Sequence, residues 1–233
     1  MTTLEQRLAA VRERILQACQ AAGRDPAHVG LLAVSKLQPA QAVRQAQQAG
    51  QRAFGENYVQ EALDKMAALA DLRGTTEWHL IGPLQSNKTR AVAEAFDWVH
   101  SVDRLKIAQR LSDQRPASLP PLNVCLQVNI SGEASKSGLP PQDVAQVATA
   151  VAALPRLRLR GLMSIPEPAQ GLLVQQAPHR ALRLLLQDLN QHGLALDTLS
   201  MGMSDDLEAA VTEGSTMVRV GTAIFGARPQ GAA

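Results

Sequence analysis

Val29-Gly30-Leu31-Leu32-Ala33-Val34 is a continuous apolar run of strand length, and Ser35 and Lys36 follow it directly. Such a run suits a parallel strand buried on both faces. Pro39 to Ala49 follows as a helix-like segment, with proline near its start and Gly50 just past its end. On the N-terminal side, Thr3-Leu4-Glu5-Gln6 has the form of a capping box. Leu4, Leu8, Val11, Ile15 and Cys19 then fall at helical spacing, and Gly23 stops that helix.

The rhythm continues to the end of the chain. Strands are expected near 30–35, 52–55, 77–81, 97–101, 122–130, 158–164, 197–202 and 217–221. Helices are expected between them, near 57–70, 86–95, 103–114, 141–154, 175–192 and 205–213. The clearest apolar stripe is Leu182, Leu185, Leu186 and Leu189, closed by Gly193. Eight strands alternating with helices predict an α/β fold, a single (β/α)₈ TIM-type barrel. An open doubly wound sheet is the structural alternative, and its dinucleotide-binding form is disfavoured because no GxGxxG follows the first strand. Pro116 to Pro121 and Ile165 to Gly171 read as loops rather than linkers, so residues 1–233 are expected to form one domain.

Composition narrows the function. The chain has 233 residues, 45% of them hydrophobic, and a net charge of +2 from 23 basic and 21 acidic residues. That surplus is too small to imply nucleic acid or an acidic membrane surface. Cys19 and Cys125 lie far apart in apolar patterns and read as reduced core residues. The N-terminus has no signal-peptide core and no run approaches a membrane span, so a cytoplasmic monomer is expected. No HExxH, CxxC, GxSxG or Walker motif is present, which leaves metal and triad chemistry without support.

In a barrel of this kind chemistry sits at the C-terminal ends of the strands. Lys36, Gly55-Glu56-Asn57, His79, Ser101, Asn129, Ser164, Ser204 and Arg219-Val220-Gly221-Thr222 all fall there. In Met217-Val218-Arg219-Val220-Gly221 the valines share one face and Arg219 takes the other. If the valines meet the helices, Arg219 points into the barrel, paired either with a core carboxylate or with a ligand. Lys36 shares parity with Leu32 and Val34, so its ammonium rises toward the barrel mouth. It is either a solvated lysine or, desolvated beside Arg219 on the neighbouring strand, a Schiff-base nucleophile. Ser204 with Gly221-Thr222 suits a phosphate held by the last two loops. The plainer alternative makes Ser204 an N-cap for 205–213, and Asp205 and Asp206 favour it, because they complement the helix dipole and repel phosphate. His79 reads as a core histidine, and the other four show no ligand spacing.

Taken together, Ala33-Val34-Ser35-Lys36, Phe54-Gly55-Glu56-Asn57-Tyr58, Trp78 to Lys88, Val128-Asn129-Ile130, Lys136-Ser137-Gly138, Arg160-Gly161-Leu162-Met163, Leu199 to Asp206 and Val218 to Gly226 closely resemble the pyridoxal phosphate homeostasis proteins. These are pyridoxal 5′-phosphate (PLP)-binding barrels related to the N-terminal domain of alanine racemase. The resemblance implies that Lys36 forms an aldimine with PLP and that Arg219 faces the pyridine nitrogen. It also implies that Ser204, Gly221 and Thr222, with backbone from Met203, hold the phosphate, while Asn57 and His79 line the pocket near the ring. The function it implies is a non-catalytic PLP carrier that serves PLP-requiring apoenzymes. The alternative is a PLP-dependent racemase. Racemases of this type carry a second β-rich domain and a catalytic tyrosine, whereas this chain ends seven residues after Gly226 and has Tyr58 as its only tyrosine. A barrel enzyme acting on a phosphorylated substrate without PLP is the third alternative.

Overall fold

The computed structural model describes residues 2–132 and 137–227. Lys136 and the terminal Pro229 to Ala233 lie outside the described residues. Helix α1 spans Leu4–Ala21, and the expected capping box is formed: Gln6 N–H donates to Thr3 Oγ1 at 3.2 Å and Thr3 N–H to Gln6 Oε1 at 2.9 Å. The barrel strands are β1 (Gly30–Val34), β2 (Ala53–Glu56), β3 (Glu77–Leu80), β4 (Trp98–Val102), β5 (Leu122–Gln127), β6 (Leu157–Met163), β7 (Thr198–Ser200) and β8 (Met217–Val220). All pair in parallel with their sequence neighbours, and β8 closes on β1. The intervening helices are α2 (Ala40–Gln48), α3 (Val59–Ala68), α4 (Thr89–Ala95), α5 (Leu105–Gln114), α6 (Val144–Ala152), α7 (Leu172–Gln191) and α8 (Leu207–Thr212). The closed barrel excludes the open doubly wound sheet.

Several boundaries differ from expectation for local reasons. Strand β5 stops at Gln127 rather than 130, because the amide of Asn129 turns to donate to the Leu139 carbonyl. Strand β7 stops at Ser200, just before Gly202, which turns the chain at φ 93°. Helix α7 begins at Leu172, and its first residues, Leu172, Leu173 and Val174, are exposed, so no burial pattern marks that start. A short helix, α9 (Thr222–Phe225), follows β8 where no helix was expected.

Strand alternation sorts the core into two layers. Ala33, Phe54, Trp78, Val99, Val218 and Val220 face the helices and belong to one continuous apolar cluster. Branched aliphatic side chains usually fill the interior of such barrels. Here Leu32 shares that space with Trp98, Cys125, Met163, His79, His100, Ser200 and Arg219. The interior is thus built to hold hydrogen bonds.

Candidate functional site

Arg219 faces inward, as its alternation with Val218 and Val220 requires. It is 4% exposed, and Nη1 donates to Ser200 Oγ at 2.8 Å while Nη2 donates to the Ser164 carbonyl at 2.8 Å. The core carboxylate considered from sequence is not among its hydrogen-bond partners. Burial pulls the guanidinium down to about 10, so it stays cationic at neutral pH.

From Arg219 a hydrogen-bonded chain crosses the barrel. His100 Nδ1 meets Ser200 Oγ at 2.8 Å, and His79 Nδ1 meets His100 Nε2 at 2.9 Å. His79 Nε2 lies 3.6 Å from Glu77 Oε2. Donor logic orients the chain. Arginine only donates, so Ser200 accepts from it and can give its hydroxyl proton to His100 Nδ1. His100 then carries its proton on Nε2 and donates to His79, whose own Nε2–H points toward the Glu77 carboxylate. Burial pushes His79 down, and it pushes His100 well below the usual histidine range with help from His79 and Arg219. His79 is fully buried and stacks on Trp98, with ring centroids 5.4 Å apart. It reaches Arg219 through His100 and Ser200.

Lys36 is half-buried in the turn immediately after β1. Leu32 is the register partner of Arg219, so Lys36 lies four residues further along the chain, roughly 13 Å of extended backbone. Direct cation–cation contact, one route to an activated lysine, does not follow from this register.

The backbone around Lys36 is tied down on both sides. Ser35 Oγ donates to Glu56 Oε1 at 2.6 Å, and Lys65 Nζ donates to the Ser35 carbonyl at 2.6 Å and to Glu56 Oε1 at 2.8 Å. Lys65 also pairs with Glu61 at 2.6 Å, and Glu61 Oε1 accepts the Leu37 amide at 2.6 Å. Leu37, at φ 59°, is the one non-glycine residue with positive φ among the described residues. Burial pushes the Glu56 carboxyl up, against the pull of Lys65 and Ser35.

The last two strand–helix loops meet. The Arg219 amide donates to the Gly202 carbonyl at 2.9 Å, which sets Met203 and Ser204 beside Val220 and Gly221. Ser204 is not an N-cap: α8 starts at Leu207, after Asp206. Neither the Ser204 nor the Thr222 hydroxyl has a hydrogen bond among the described residues. The Met203 amide donates to Asp206 Oδ1 at 2.6 Å. His179 Nε2 meets Asp206 Oδ2 at 2.9 Å. Burial raises Asp206, but these two contacts outweigh it and hold the carboxyl low. The Asp206 charge is thus engaged inside the loop, which weakens the sequence objection that it would repel a phosphate. Helix α1 clamps both loops: Arg14 Nη1 donates to the Ser204 carbonyl and Arg7 Nε to the Ile224 carbonyl, each at 2.7 Å. The two arginines resemble ordinary polar-face residues in sequence, and only the closed barrel shows what they reach.

Between the ends of β2, β3, β5 and β6 lies a cavity of about 300 Å³ lined by Asn57, Ile81, Gly82, Pro83, Asn129 and Ile165. Gly82 is required there, since a Cβ would come within 2.2 Å of the Asn57 carbonyl. At this end of the barrel the buried side-chain oxygens Asn57 Oδ1 and Ser164 Oγ have no hydrogen-bond partner among the described residues. Buried polar atoms are normally satisfied, so these fit a ligand with polar substituents. Among the described residues no cluster of metal-ligating side chains occurs, and no helix is long and apolar enough to cross a membrane.

Known proteins fit this geometry. A family model described as "Alanine racemase, N-terminal domain" matches residues 6–229. The chain is 67% identical over 232 residues to the pyridoxal phosphate homeostasis protein of Pseudomonas aeruginosa, covering 100% of this chain and 99% of that one. It is 56% identical over 229 residues to the protein of the same name from Escherichia coli K12, covering 98% of each. The structure of PipY from Synechococcus elongatus with PLP bound superposes with a TM-score of 0.84 at 41% identity, covering 96% of this chain and 100% of PipY. Alanine racemase from Corynebacterium glutamicum shares the fold alone, with a TM-score of 0.66 at 21% identity over 97% of this chain and 63% of the racemase. The chain belongs to the pyridoxal phosphate homeostasis protein family, whose barrel is that of the alanine racemase N-terminal domain.

Proposed function

We propose that the protein holds PLP on Lys36 at the barrel mouth and gives it up to PLP-requiring apoenzymes, without turning over amino acids. The observation that carries this is Arg219, a donor-only cation buried in the barrel with no carboxylate among its hydrogen-bond partners. When bound, PLP supplies an aldehyde that condenses reversibly with a primary amine and a pyridine ring whose electron-withdrawing power depends on protonation. Lys36 supplies the amine. Arg219 can only donate, so the atom opposite it must accept and stays unprotonated. A side chain that keeps the ring nitrogen neutral favours storage over carbanion chemistry.

The remaining residues divide the work of binding. Ser204 and Thr222 offer unengaged hydroxyls, and Gly221 offers backbone without a side chain, to the phosphate. With the Met203 amide committed to Asp206, these three carry the phosphate in this scheme. Asn57 offers its unpartnered oxygen beside the cavity. His79 contributes through the chain that ends at Arg219. The whole chain acts as one barrel domain, a monomer of the cytoplasm. Support comes from relatives named for PLP homeostasis and from the PLP-bound PipY neighbour.

The racemase alternative is tested by deuterium incorporation into alanine in heavy water, followed by NMR, with PLP-loaded protein. Exchange no faster than with free PLP is expected, together with recovery of an apoenzyme's activity when the loaded protein is added. Rapid exchange with turnover would restore the racemase.

A further inference from the structure

Lys65 lies in the last turn of α3, yet it is almost as buried as the core, at 6% exposure. Its ammonium has three N–H groups and meets three acceptors: the Ser35 carbonyl, Glu56 Oε1 and Glu61 Oε1. Two of those acceptors hold the residues flanking Lys36. Ser35 is fixed through its carbonyl to Lys65 and through its hydroxyl to Glu56. Leu37 is fixed through its amide to Glu61. That amide belongs to a backbone turn at φ 59°, a conformation that leucine adopts only when its surroundings impose it. None of these residues was assigned a role beside Lys36 by its sequence pattern.

We propose that Glu61, Lys65 and Glu56 are positioning residues for Lys36: the buried cluster forces the left-handed turn at Leu37 and so sets the direction in which the Lys36 amine is presented. The proposal rests on the assignment of Lys36 as the PLP-bearing lysine. It adds that α3, which contributes no ligand contact in that assignment, controls how fast the amine reacts. Lys65 has all three of its N–H groups engaged by the fold, and Lys36 is carried on the turn that this engagement creates.

The test follows the rate at which PLP becomes borohydride-trappable on Lys36, resolved by peptide mapping, in full-length protein. Thermal unfolding of the same samples monitors the fold. Glu61→Ala removes the acceptor for the Leu37 amide and should slow trapping at Lys36 by roughly tenfold or more. Glu61→Gln keeps a carbonyl acceptor at that place and should stay within about threefold of wild type. Leu37→Gly adopts positive φ without help, so adding it to Glu61→Ala should restore most of the lost rate even if thermal stability is not recovered. Wild-type rates in a folded Glu61→Ala variant would overturn the proposal. So would a slow Glu61→Ala variant that Leu37→Gly fails to rescue, because the effect would then not pass through the turn. Trapping on another lysine in the wild type would remove the Lys36 assignment itself, a result separate from either of these.

Discussion

Replacing Arg219 by methionine separates a ligand-facing arginine from one that merely holds the core together. Arg219 makes two buried hydrogen bonds, both 2.8 Å, to Ser200 Oγ and the Ser164 carbonyl. Charge-assisted bonds of this kind contribute about 1.5–3 kcal/mol each. Removing a buried cation in favour of an apolar side chain of similar volume returns about 1–4 kcal/mol of desolvation. The Ser164 carbonyl left behind costs about 1–3 kcal/mol, whereas Ser200 keeps its bond to His100. The losses, about 4–9 kcal/mol together, exceed that return, so Arg219→Met should destabilise the PLP-free protein by a few kcal/mol. Ser200→Ala is the informative contrast. It strands Arg219 Nη1 and His100 Nδ1 together and should destabilise by about 2–5 kcal/mol. If Arg219 also donates to PLP, Arg219→Met should weaken PLP binding by roughly ten- to 150-fold, the equivalent of one charge-assisted bond. Urea unfolding of PLP-free protein and absorbance titration with PLP measure the two quantities. A folded Arg219→Met variant with unchanged PLP affinity would refute the reasoning and make Arg219 a structural core residue.

Two further predictions follow from the same residues. Ser204→Ala and Thr222→Val should each weaken PLP binding while leaving the spectrum at saturation unchanged, and pyridoxal without its phosphate should bind far more weakly than PLP. Equal affinity for the two vitamers by titration would place the phosphate elsewhere. Stability should fall as pH drops below about 6.5, because buried His79 and His100 resist protonation in the folded state while the unfolded chain takes up protons. The depressed pKa values make this contribution complete above the unfolded value and lost below it, with a slope of up to about 1.4 kcal/mol per pH unit per histidine. Urea unfolding between pH 7 and 5 should show that slope in the wild type and roughly half of it in His100→Gln. Stability that is flat across this range would mean the histidines titrate normally.

The barrel was legible because parallel strands buried on both faces write themselves as apolar runs, as in Leu31 to Val34, and because Gly and Pro punctuate the helices between them. Arg219 was legible for the same reason: alternation with two valines left it only one direction to point. The other half of its environment was not. Ser200, His100 and Glu77 come from β7, β4 and β3, and their hydrogen bonds depend on barrel closure rather than on spacing along the chain. The Lys65 cluster stayed hidden because a lysine and two glutamates on and before a helix look like a solvated face. The bond from the Met203 amide to Asp206 was not legible either, because Asp206, three residues on, folds back to accept it. Local rules could not separate a ligand-facing amide from one used to shape its own loop.

The central claim is that Lys36 carries PLP. The most direct measurement is borohydride reduction of the purified, PLP-loaded protein followed by peptide mapping of the modified lysine. The account predicts one modified residue, Lys36, and loss of the trapped adduct in a Lys36→Ala variant that keeps its fold, since the side chain sits in the turn after β1 rather than in a packed layer. Modification centred on another lysine, such as Lys136 or Lys65, or an adduct that survives Lys36→Ala undiminished, would contradict it.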